Sequence, residues 1–450
     1  MNFTPQQAIL ELGDAFYDPV PAARFPQAIL RFRNDRAAAQ IGLDQLSDAQ
    51  WIAHFGRFEP LPGALERPLA LRYHGHQFRV YNPEIGDGRG FLFAQMTDER
   101  GRLMDLGTKG SGQTPYSRFG DGRLTLKGGV REILATEMLE GLGVETSRTF
   151  SLIETGEELH RGDEPSPTRS AVLVRLNHGH IRIGTFQRLA YFQDLENIER
   201  LTGYVLRHYF GEEPGDDAPQ RLLAYVARRT ARMAGRFMAA GFVHGVLNSD
   251  NINVTGESFD YGPWRFAPTW DPGFIAAYFD QAGLYSFGRQ PEAIYWDVMQ
   301  LASSLRLIAE EEPLVEAMDV FPEAFQREVA EAMLWRLGLV PRGVEHDRPL
   351  VGAIERALVE TGTPIDRFFF HGFGGKLPPS YGEPFADLRA QLAHYAPRKG
   401  RDHAYWSGDA PCAMLIDEVE DIWAAIARDD DWSRLNAKVA AIRRMGEALR

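Results

Sequence analysis

The feature that most constrains the fold is a change of pattern along the chain. Before about residue 193, short apolar segments rich in branched side chains alternate with glycine turns, which is typical of β-strands. After that point the spacing of apolar residues becomes helical, as in 197–209, 219–240 and the region beyond 290. Strands first and helices later predict an α+β chain with two lobes. We expect a β-rich first lobe over 71–192 and a mainly helical second lobe over 193–450.

Within the first lobe, the predicted strands are 149–154, 170–176 and 180–187. The preceding residues 1–70 are rich in proline and aromatic residues and contain few long periodic runs apart from a helix near 35–43. We therefore predict that residues 1–70 wrap around the lobes and do not form a domain of their own.

Composition narrows the range of partners. The 450 residues carry a formal charge of −13, which argues against a protein that binds nucleic acid by neutralising phosphates. The one cysteine, Cys412, excludes an intramolecular disulfide and a zinc cage built from cysteines. The N-terminus has no basic segment followed by an apolar one, and no apolar run approaches about 18 residues. We expect a cytoplasmic protein with no membrane or nucleic-acid partner.

The most informative polar stretch is segment 241–266, GFVHGVLNSDNINVTGESFDYGPWRF. Its alternating pattern and its Thr-Gly-Glu turn predict a short hairpin with Asp250, Asn251 and Asp260 at its mouth. A carboxylate base beside an amide and a second carboxylate suits nucleotide-dependent group transfer with Mg²⁺. Each of the three also has a simpler interpretation as a turn residue. The run Asp260-Tyr261-Gly262, which stands where protein kinases carry Asp-Phe-Gly, favours function.

Two glycine-rich stretches of the first lobe are candidates for binding phosphate. Residues 86–90 read GDGRG and open into an apolar segment, so their backbone N–H groups can cradle phosphate or form a plain hairpin turn. Residues 105–127 combine glycines and hydroxyls with four cations, which suits polyphosphate oxygens or else forms a solvated basic loop. These cations are Lys109, Arg118, Arg123 and Lys127.

An amphipathic pattern over 129–142 predicts a helix that carries Glu132. Glu132 either pairs with Lys109, as a helix glutamate pairs with a strand lysine in kinases, or faces solvent. Arg175 and Arg182 fall in predicted strands, where an arginine is paired with an acid or aimed at a ligand anion. Strands first and helices later, with the acid-amide-acid segment between them, are the layout of a bilobal protein-kinase-like fold.

Seven motifs of this chain together closely resemble the selenoprotein O family, a group of kinase-like protein adenylyltransferases. The motifs span most of the chain up to about Leu305, and KGSGQTPYSRFGDGR is the most specific of them. They are HGHQF (74–78), GDGR (86–89), KGSGQTPYSRFGDGR (109–123), REIL (131–134), HIRIGTFQ (180–187), HGVLNSDN (244–251) and DYGPWRF (260–266).

The resemblance implies that ATP lies inverted relative to its pose in protein kinases. AMP, and not the γ-phosphate, is then transferred to Ser, Thr or Tyr hydroxyls of proteins. It also implies that Asp250 is the proton acceptor and that Asn251 and Asp260 hold Mg²⁺, with Mn²⁺ as the other candidate. Glu132 is then the helix partner of Lys109. The implied nucleotide contacts are Gly86, Gly88, Arg89, Lys109, Asp121, Gly122, Arg175, Arg182 and Asp260.

The chain departs from the family pattern in two places. Arg79 follows Phe78 where the family has glycine, and the C-terminal helices beyond about Leu305 carry no family motif that we identify. Two alternative functions use the same predicted pocket. One is kinase-type transfer of the γ-phosphate, and the other is a catalytically inactive scaffold that binds nucleotide. The sequence specifies neither the target proteins nor the oligomeric state.

Overall fold

The computed structural model describes residues 2–162 and 164–450. Met1 of the predicted N-terminal wrap and Asp163 of the predicted first lobe lie outside the described residues. The strands are β1 (Pro5–Gln6), β2 (Tyr17–Pro19), β3 (Ile29–Arg33), β4 (Leu69–Leu71), β5 (Gly75–Gln77), β6 (Val80–Asn82), β7 (Leu92–Thr97), β8 (Leu103–Lys109), β9 (Leu124–Thr125), β10 (Arg148–Leu159), β11 (Thr168–Asn177), β12 (Phe242–Val243) and β13 (Arg265–Phe266).

The α-helices follow mainly in the second half of the chain. They are α1 (Asp35–Gln40), α2 (Asp48–Phe55), α3 (Leu126–Gly141), α4 (Ile183–Tyr191), α5 (Leu195–Val205), α6 (Ala218–Ala240), α7 (Gln290–Leu305), α8 (Glu311–Met318), α9 (Val320–Arg336), α10 (Val344–Thr361), α11 (Ile365–Gly372), α12 (Ala386–Leu392), α13 (Ile416–Asp429) and α14 (Ser433–Leu449). The predicted α+β class, with a β-rich first lobe and a mainly helical second lobe, is confirmed.

One antiparallel sheet forms the first lobe, in the strand order β2-β4-β7-β8-β11-β10-β3, with β1 paired to β7 and β9 paired to β11. Strands from residues 1–70 therefore join the same sheet as strands from 71–192. The central strands β8 and β11 are buried on both faces, which explains the apolar run of residues 171–176 in β11, interrupted only by Arg175. In β11, Leu173 packs on the side of α3, whereas Val172 and Val174 pack on the side of Trp51 and Phe55.

Helix α3 begins three residues before the predicted helix of 129–142. The side chain of Thr125 caps it by accepting a hydrogen bond from the Gly128 N–H at 3.1 Å, so the two glycines 128 and 129 lie inside its first turn. A Cβ on Gly129 would collide with Leu152 of the sheet. Close packing of helix on sheet therefore explains a glycine that intrinsic propensity disfavours.

The prediction of a strand over 180–187 is wrong. The chain is extended only to Arg182, and helix α4 then begins at Ile183. Ile183, Phe186 and Leu189, three residues apart, form the buried face of this helix. A short stretch of branched residues before a glycine satisfied the strand pattern, and the helical period became visible only over the whole segment.

The predicted hairpin of 252–260 is also absent among the described residues. Its two arms pair with other segments: Asn253 forms an antiparallel bridge with Arg182, and Ser258 forms a parallel bridge with Thr146. Only the turn between them remains, closed by a hydrogen bond from the Gly256 N–H to the Asn253 carbonyl at 2.9 Å. The alternating pattern thus reflects burial between the lobes, and not pairing within the segment.

Helix α6 is the centre of the second lobe and packs against α7, α8 and α9. The C-terminal helices α13 and α14 return to the first lobe, where Arg443 donates two hydrogen bonds to Glu137 of α3 at 2.6 and 2.8 Å. No helix among residues 2–162 and 164–450 is long and apolar enough to cross a membrane.

Candidate active site

A cavity of about 530 Å³ lies between the sheet of the first lobe and the segment of the second lobe that contains Asp250 and Asp260. Its walls come from the two glycine-rich stretches, from the cleft face of β8 and β11, and from the segment that carries both acids. The lining residues are Tyr73, Gln77, Ile85, Gly86, Asp87, Gly88, Arg89, Gly90, Thr108, Lys109, Tyr116, Ser117, Arg118, Phe119, Gly120, Asp121, Gly122, Arg123, Arg161, Arg175, Arg182, Asp250 and Asp260.

Strand register brings the first two cations together. Lys109 of β8 lies opposite Leu173 of β11, and Arg175 is two residues further along β11 on the same face. The Lys109 Nζ donates to Glu132 Oε1 of α3 at 2.6 Å and lies 2.7 Å from Asp260 Oδ1. Because the side chains of Lys109 and Glu132 are only 6 % and 1 % exposed, this ion pair is shielded from solvent.

Asp260 occupies an uncommon backbone conformation, with φ of +63°. Aspartate tolerates this left-handed region better than most residues, at a cost of about 1–2 kcal/mol. Its carboxylate lies 2.7 Å from Lys109 Nζ and 3.4 Å from Arg175 Nη1. Burial opposes ionisation, but the charges of Lys109, Arg175, Arg89 and Arg182 hold the pKa of Asp260 well below its usual value. Asp260 is therefore a carboxylate at neutral pH.

Arg182 stands at the junction of the two lobes. It donates to the backbone carbonyl of Asp250 at 2.9 Å and to the carboxylate of Asp87 at 3.2 Å. Its guanidinium carbon lies 4.2 Å from the centre of the Tyr73 ring and 4.8 Å from that of Phe259. Its Nε has no partner among the described residues, so part of a buried guanidinium remains available to an anion.

Asp250 is held in a short 3₁₀ turn, Ser249–Asn251, and is 8 % exposed. The turn is anchored by the Ser249 hydroxyl, which donates to Gln187 at 2.5 Å and accepts from the His76 N–H at 2.7 Å. The Oδ1 of Asp250 has no hydrogen-bond partner within residues 2–162 and 164–450. Burial raises the pKa of Asp250 to about 6, against the opposing charge of Arg182. Such a carboxylate is mostly ionised at pH 7 and can accept a proton.

The glycine-rich stretches close the outer side of the cavity. A Cβ on Gly86 would lie 2.5 Å from the Tyr116 ring, and a Cβ on Gly122, which has φ of +71°, would collide with the Gly112 backbone. Asp121 at the rim is exposed and pairs with Arg161 at 2.8 Å. Arg89 is also exposed, although its carbonyl anchors the loop by accepting from the Gly110 N–H at 2.7 Å.

Asn251 is set apart from the other predicted site residues. It is not among the residues lining the cavity, and its amide donates to the Val246 carbonyl at 3.1 Å. Conversely, sequence reasoning assigned no role to Tyr73, Asp87 or Arg161, which do line it. Asp87 stands inside the GDGR motif, so its position was a usable signal. Tyr73 and Arg161 carry no local pattern that would have revealed them.

The donor set fits a divalent cation bound together with a polyphosphate. The Asp260 carboxylate is ionised, and Asp250, whose Oδ1 has no partner among the described residues, lines the same cavity. Within the described part of the chain, no group of three or more His, Cys, Asp or Glu residues is arranged to hold a metal by itself. A cation here would therefore depend on phosphate oxygens for part of its coordination, as Mg²⁺ sites commonly do.

The chain is similar to known proteins over nearly its whole length. The sequence model of a family described as "Protein adenylyltransferase SelO" matches residues 1–372. A "Protein nucleotidyltransferase YdiU" from Synechocystis sp. is 41 % identical over 97 % of both chains. Its namesake from Trichodesmium erythraeum is 47 % identical over 96 % of both chains. The similarity thus continues beyond Leu305, where recognisable motifs end.

Solved structures give a weaker likeness. The crystal structure of a Toxoplasma gondii rhoptry antigen kinase domain is 10 % identical, with a TM-score of 0.29, over 64 % of this chain and 83 % of that one. A likeness with so low a TM-score does not support any conclusion about this chain. The kinase-like character rests on the buried pair of a strand lysine and a helix glutamate beside Asp260.

Proposed function

Since the chain belongs to the SelO family of protein adenylyltransferases and is a nucleotidyltransferase, we propose that it transfers AMP from ATP to Ser, Thr or Tyr hydroxyls of proteins. The observation that carries this proposal is the convergence of three buried cations and two carboxylates on one cavity. The cations are Lys109, Arg175 and Arg182, and the carboxylates are Asp250 and Asp260.

In this proposal, the cations hold the polyphosphate of ATP. Lys109 and Arg175 approach from the sheet, and Arg182 approaches from the junction of the lobes. Fixed cations in a site shielded from water stabilise the charge that develops on phosphate oxygens during transfer. Gly86, Gly88 and Gly122 let the two loops pack closely around the nucleotide, since a Cβ at each would collide with Tyr116 or Gly112. Arg89 and Asp121 contact it from the rim.

Asp250 acts as the base. The acceptor hydroxyl oxygen attacks the α-phosphorus, the bond from that phosphorus to the bridging oxygen breaks, and pyrophosphate leaves. The hydroxyl proton passes to the Asp250 carboxylate, whose pKa of about 6 keeps it ionised at neutral pH. The hydrogen bond from Arg182 to the Asp250 carbonyl fixes the loop that presents this carboxylate.

Asp260 and Asn251 would hold a divalent cation, Mg²⁺ or Mn²⁺, together with phosphate oxygens. When bound, the cation neutralises phosphate charge and orients the chain of phosphates. The amide nitrogen of Asn251 donates to the Val246 carbonyl, which leaves its amide oxygen to serve as the metal ligand. Glu132 positions Lys109, since it holds the ammonium at 2.6 Å.

The test uses ATP labelled with ³²P at either the α or the γ position, with casein as a generic protein acceptor and self-modification as a second readout. AMP transfer predicts label in protein only from α-labelled ATP. Label from γ-labelled ATP alone would instead indicate kinase-type phosphotransfer in the same pocket. Nucleotide binding without transfer of either label would indicate an inactive scaffold.

A further inference from the structure

A second cavity, of about 360 Å³, lies outside the cleft and shares no lining residue with it; we call it the rear cavity. Both lobes contribute to its walls, through the turn between β7 and β8, the loop before β10, the end of β11, helix α6 and the segment before Asp260. The lining residues are Arg100, Arg102, Glu140, Gly143, Val144, Glu145, Thr146, Arg148, His178, Phe210, Arg229, Thr255 and Glu257. Its volume is within the range of small-molecule sites.

Four arginines enter the rear cavity from three segments, and several of them are incompletely paired. The Arg100 side chain has no partner among the described residues. Arg229 of α6 approaches an acid only at 4.0 Å, the distance to Glu145. Arg148 pairs with Glu140 through Nε at 3.2 Å, but its Nη1 is buried without a partner within the described chain. Arg102 alone is fully engaged, by Asp98 at 2.8 Å.

His178 contributes a second buried polar atom without a hydrogen-bond partner to the rear cavity. The Nε2 of His178 is buried and has no hydrogen-bond partner within residues 2–162 and 164–450. Burial, and then the positive charges of Arg102 and Arg229, lower the pKa of His178 to about 4. Two unsatisfied polar atoms from different segments beside one cavity are unusual, because buried polar groups are almost always hydrogen-bonded.

The acids of the rear cavity do not cancel this charge. Glu140 and Glu145 are shared with Arg36 and Arg232 outside it, at 3.2 and 3.3 Å. Glu257 accepts from the His178 N–H at 2.6 Å, and burial raises its pKa to about 7. Glu257 is thus partly protonated near neutral pH and can donate a hydrogen bond to an anion. The four arginines therefore leave a positive field in an enclosed space.

We propose that the rear cavity binds a small phosphorylated molecule through Arg100, Arg148 and Arg229. Guanidinium groups from three directions match the oxygens of a phosphate group, and phosphate carries the double charge that satisfies more than one of them. A ligand here touches Arg100 in the first lobe and Arg229 in the second. It also lies against Glu257, three residues before Asp260. Because the rear cavity shares no lining residue with the cleft, this proposal goes beyond the proposed function and is independent of it.

The test measures binding of inorganic phosphate to the full chain by calorimetry at constant ionic strength. In Arg100→Ala/Arg229→Ala we expect phosphate affinity to fall about tenfold or more, since each charge-assisted hydrogen bond contributes about that much. Both side chains are substantially exposed, so the fold tolerates their loss. The matched control is Arg207→Ala/Arg228→Ala, which removes two exposed arginines that do not line the cavity; we expect a change of less than about twofold.

Three outcomes would overturn the proposal. One is phosphate binding that is lost in Lys109→Met but unchanged in Arg100→Ala/Arg229→Ala, which would assign all binding to the cleft. Another is equal weakening by the control pair, which would indicate a general effect of charge. The third is acetate binding as tightly as phosphate, which would exclude the phosphate class. ATP affinity and AMP transfer, measured on the same variants, report separately on the proposed function.

Discussion

The two walls of the cleft hold their charged groups in different ways. On the inner wall, Lys109, Arg175 and Glu132 project from the sheet and α3, and their side chains are no more than 6 % exposed. On the outer rim, Arg89 and Asp121 are exposed and lie on loops. Charges in a shielded, rigid wall act at low effective dielectric, whereas rim charges are screened by water and salt. We therefore expect the inner wall to determine the rate of transfer and the rim to adjust affinity.

The largest expected effect is at Asp260. Asp260→Asn keeps a residue that tolerates positive φ but removes the charge. We expect ATP binding to lose its dependence on Mg²⁺ and transfer to fall about a thousandfold, because metal stabilisation contributes several kcal/mol. Calorimetry with and without Mg²⁺ checks this, with the exposed Asp271→Asn as control. Unchanged metal dependence of ATP binding would remove Asp260 from the proposed metal site.

The next largest effect is at Lys109. Lys109→Met should lower transfer about a hundredfold, because one fixed donor to phosphate is lost. It should also destabilise the fold by about 3 kcal/mol, since Glu132 is left buried without its cation. Adding Glu132→Gln should restore the melting temperature but not the rate. If the double variant regained transfer, Lys109 would serve the fold alone.

The pH dependence should follow Asp250. Its raised pKa of about 6 predicts that kcat/KM falls as the pH drops below 6, because the base becomes protonated. The free energy of unfolding depends on pH in the opposite direction. A carboxyl whose folded pKa exceeds 3.8 stabilises the fold at low pH, and this contribution is lost as the pH rises through 6. Asp250→Asn should therefore melt at a higher temperature than the parent at pH 7.5, by up to about 3 kcal/mol in unfolding free energy. Equal stability at pH 7.5 would contradict the raised pKa.

The smallest effect is expected at the rim. Asp121→Asn removes an exposed pair with Arg161, and such pairs contribute about 0.2–1 kcal/mol. We expect KM for ATP to change no more than about fivefold, with kcat unchanged. A large fall in kcat would mean that the rim takes part in the reaction and would break the contrast between the two walls.

The inner wall was also the part of the site most accessible to sequence reasoning. Lys109 lies in a stretch of glycines, hydroxyls and cations that suits phosphate, Arg175 lies in an apolar run typical of a strand, and Glu132 lies on a clear helical pattern. The position of Arg182 was misread, because its helix begins one residue later and the preceding residues mimic a strand. Tyr73 and Arg161 reach the cavity through tertiary packing, which no local pattern encodes.

The same limit explains why the predicted hairpin of 252–260 does not form. Asn253 and Ser258 pair with Arg182 and Thr146, residues distant in sequence, and a single chain does not reveal such partners. The polar residues of this segment were nevertheless identifiable, because an acid, an amide and an acid among buried apolar residues need a reason to be there. The chemical character of these residues was therefore easier to predict than the backbone conformation that positions them.

The most direct test of the account is Asp250→Asn, assayed for AMP incorporation and ATP affinity side by side. A base acts in the transition state, so loss of its charge should lower incorporation about 10²- to 10⁴-fold and leave ATP affinity nearly unchanged. Asparagine keeps the shape of the turn, so a residue that merely forms the turn would tolerate the change. Lost incorporation with retained affinity is the predicted result. Near-normal incorporation would contradict the account and remove Asp250 from the mechanism.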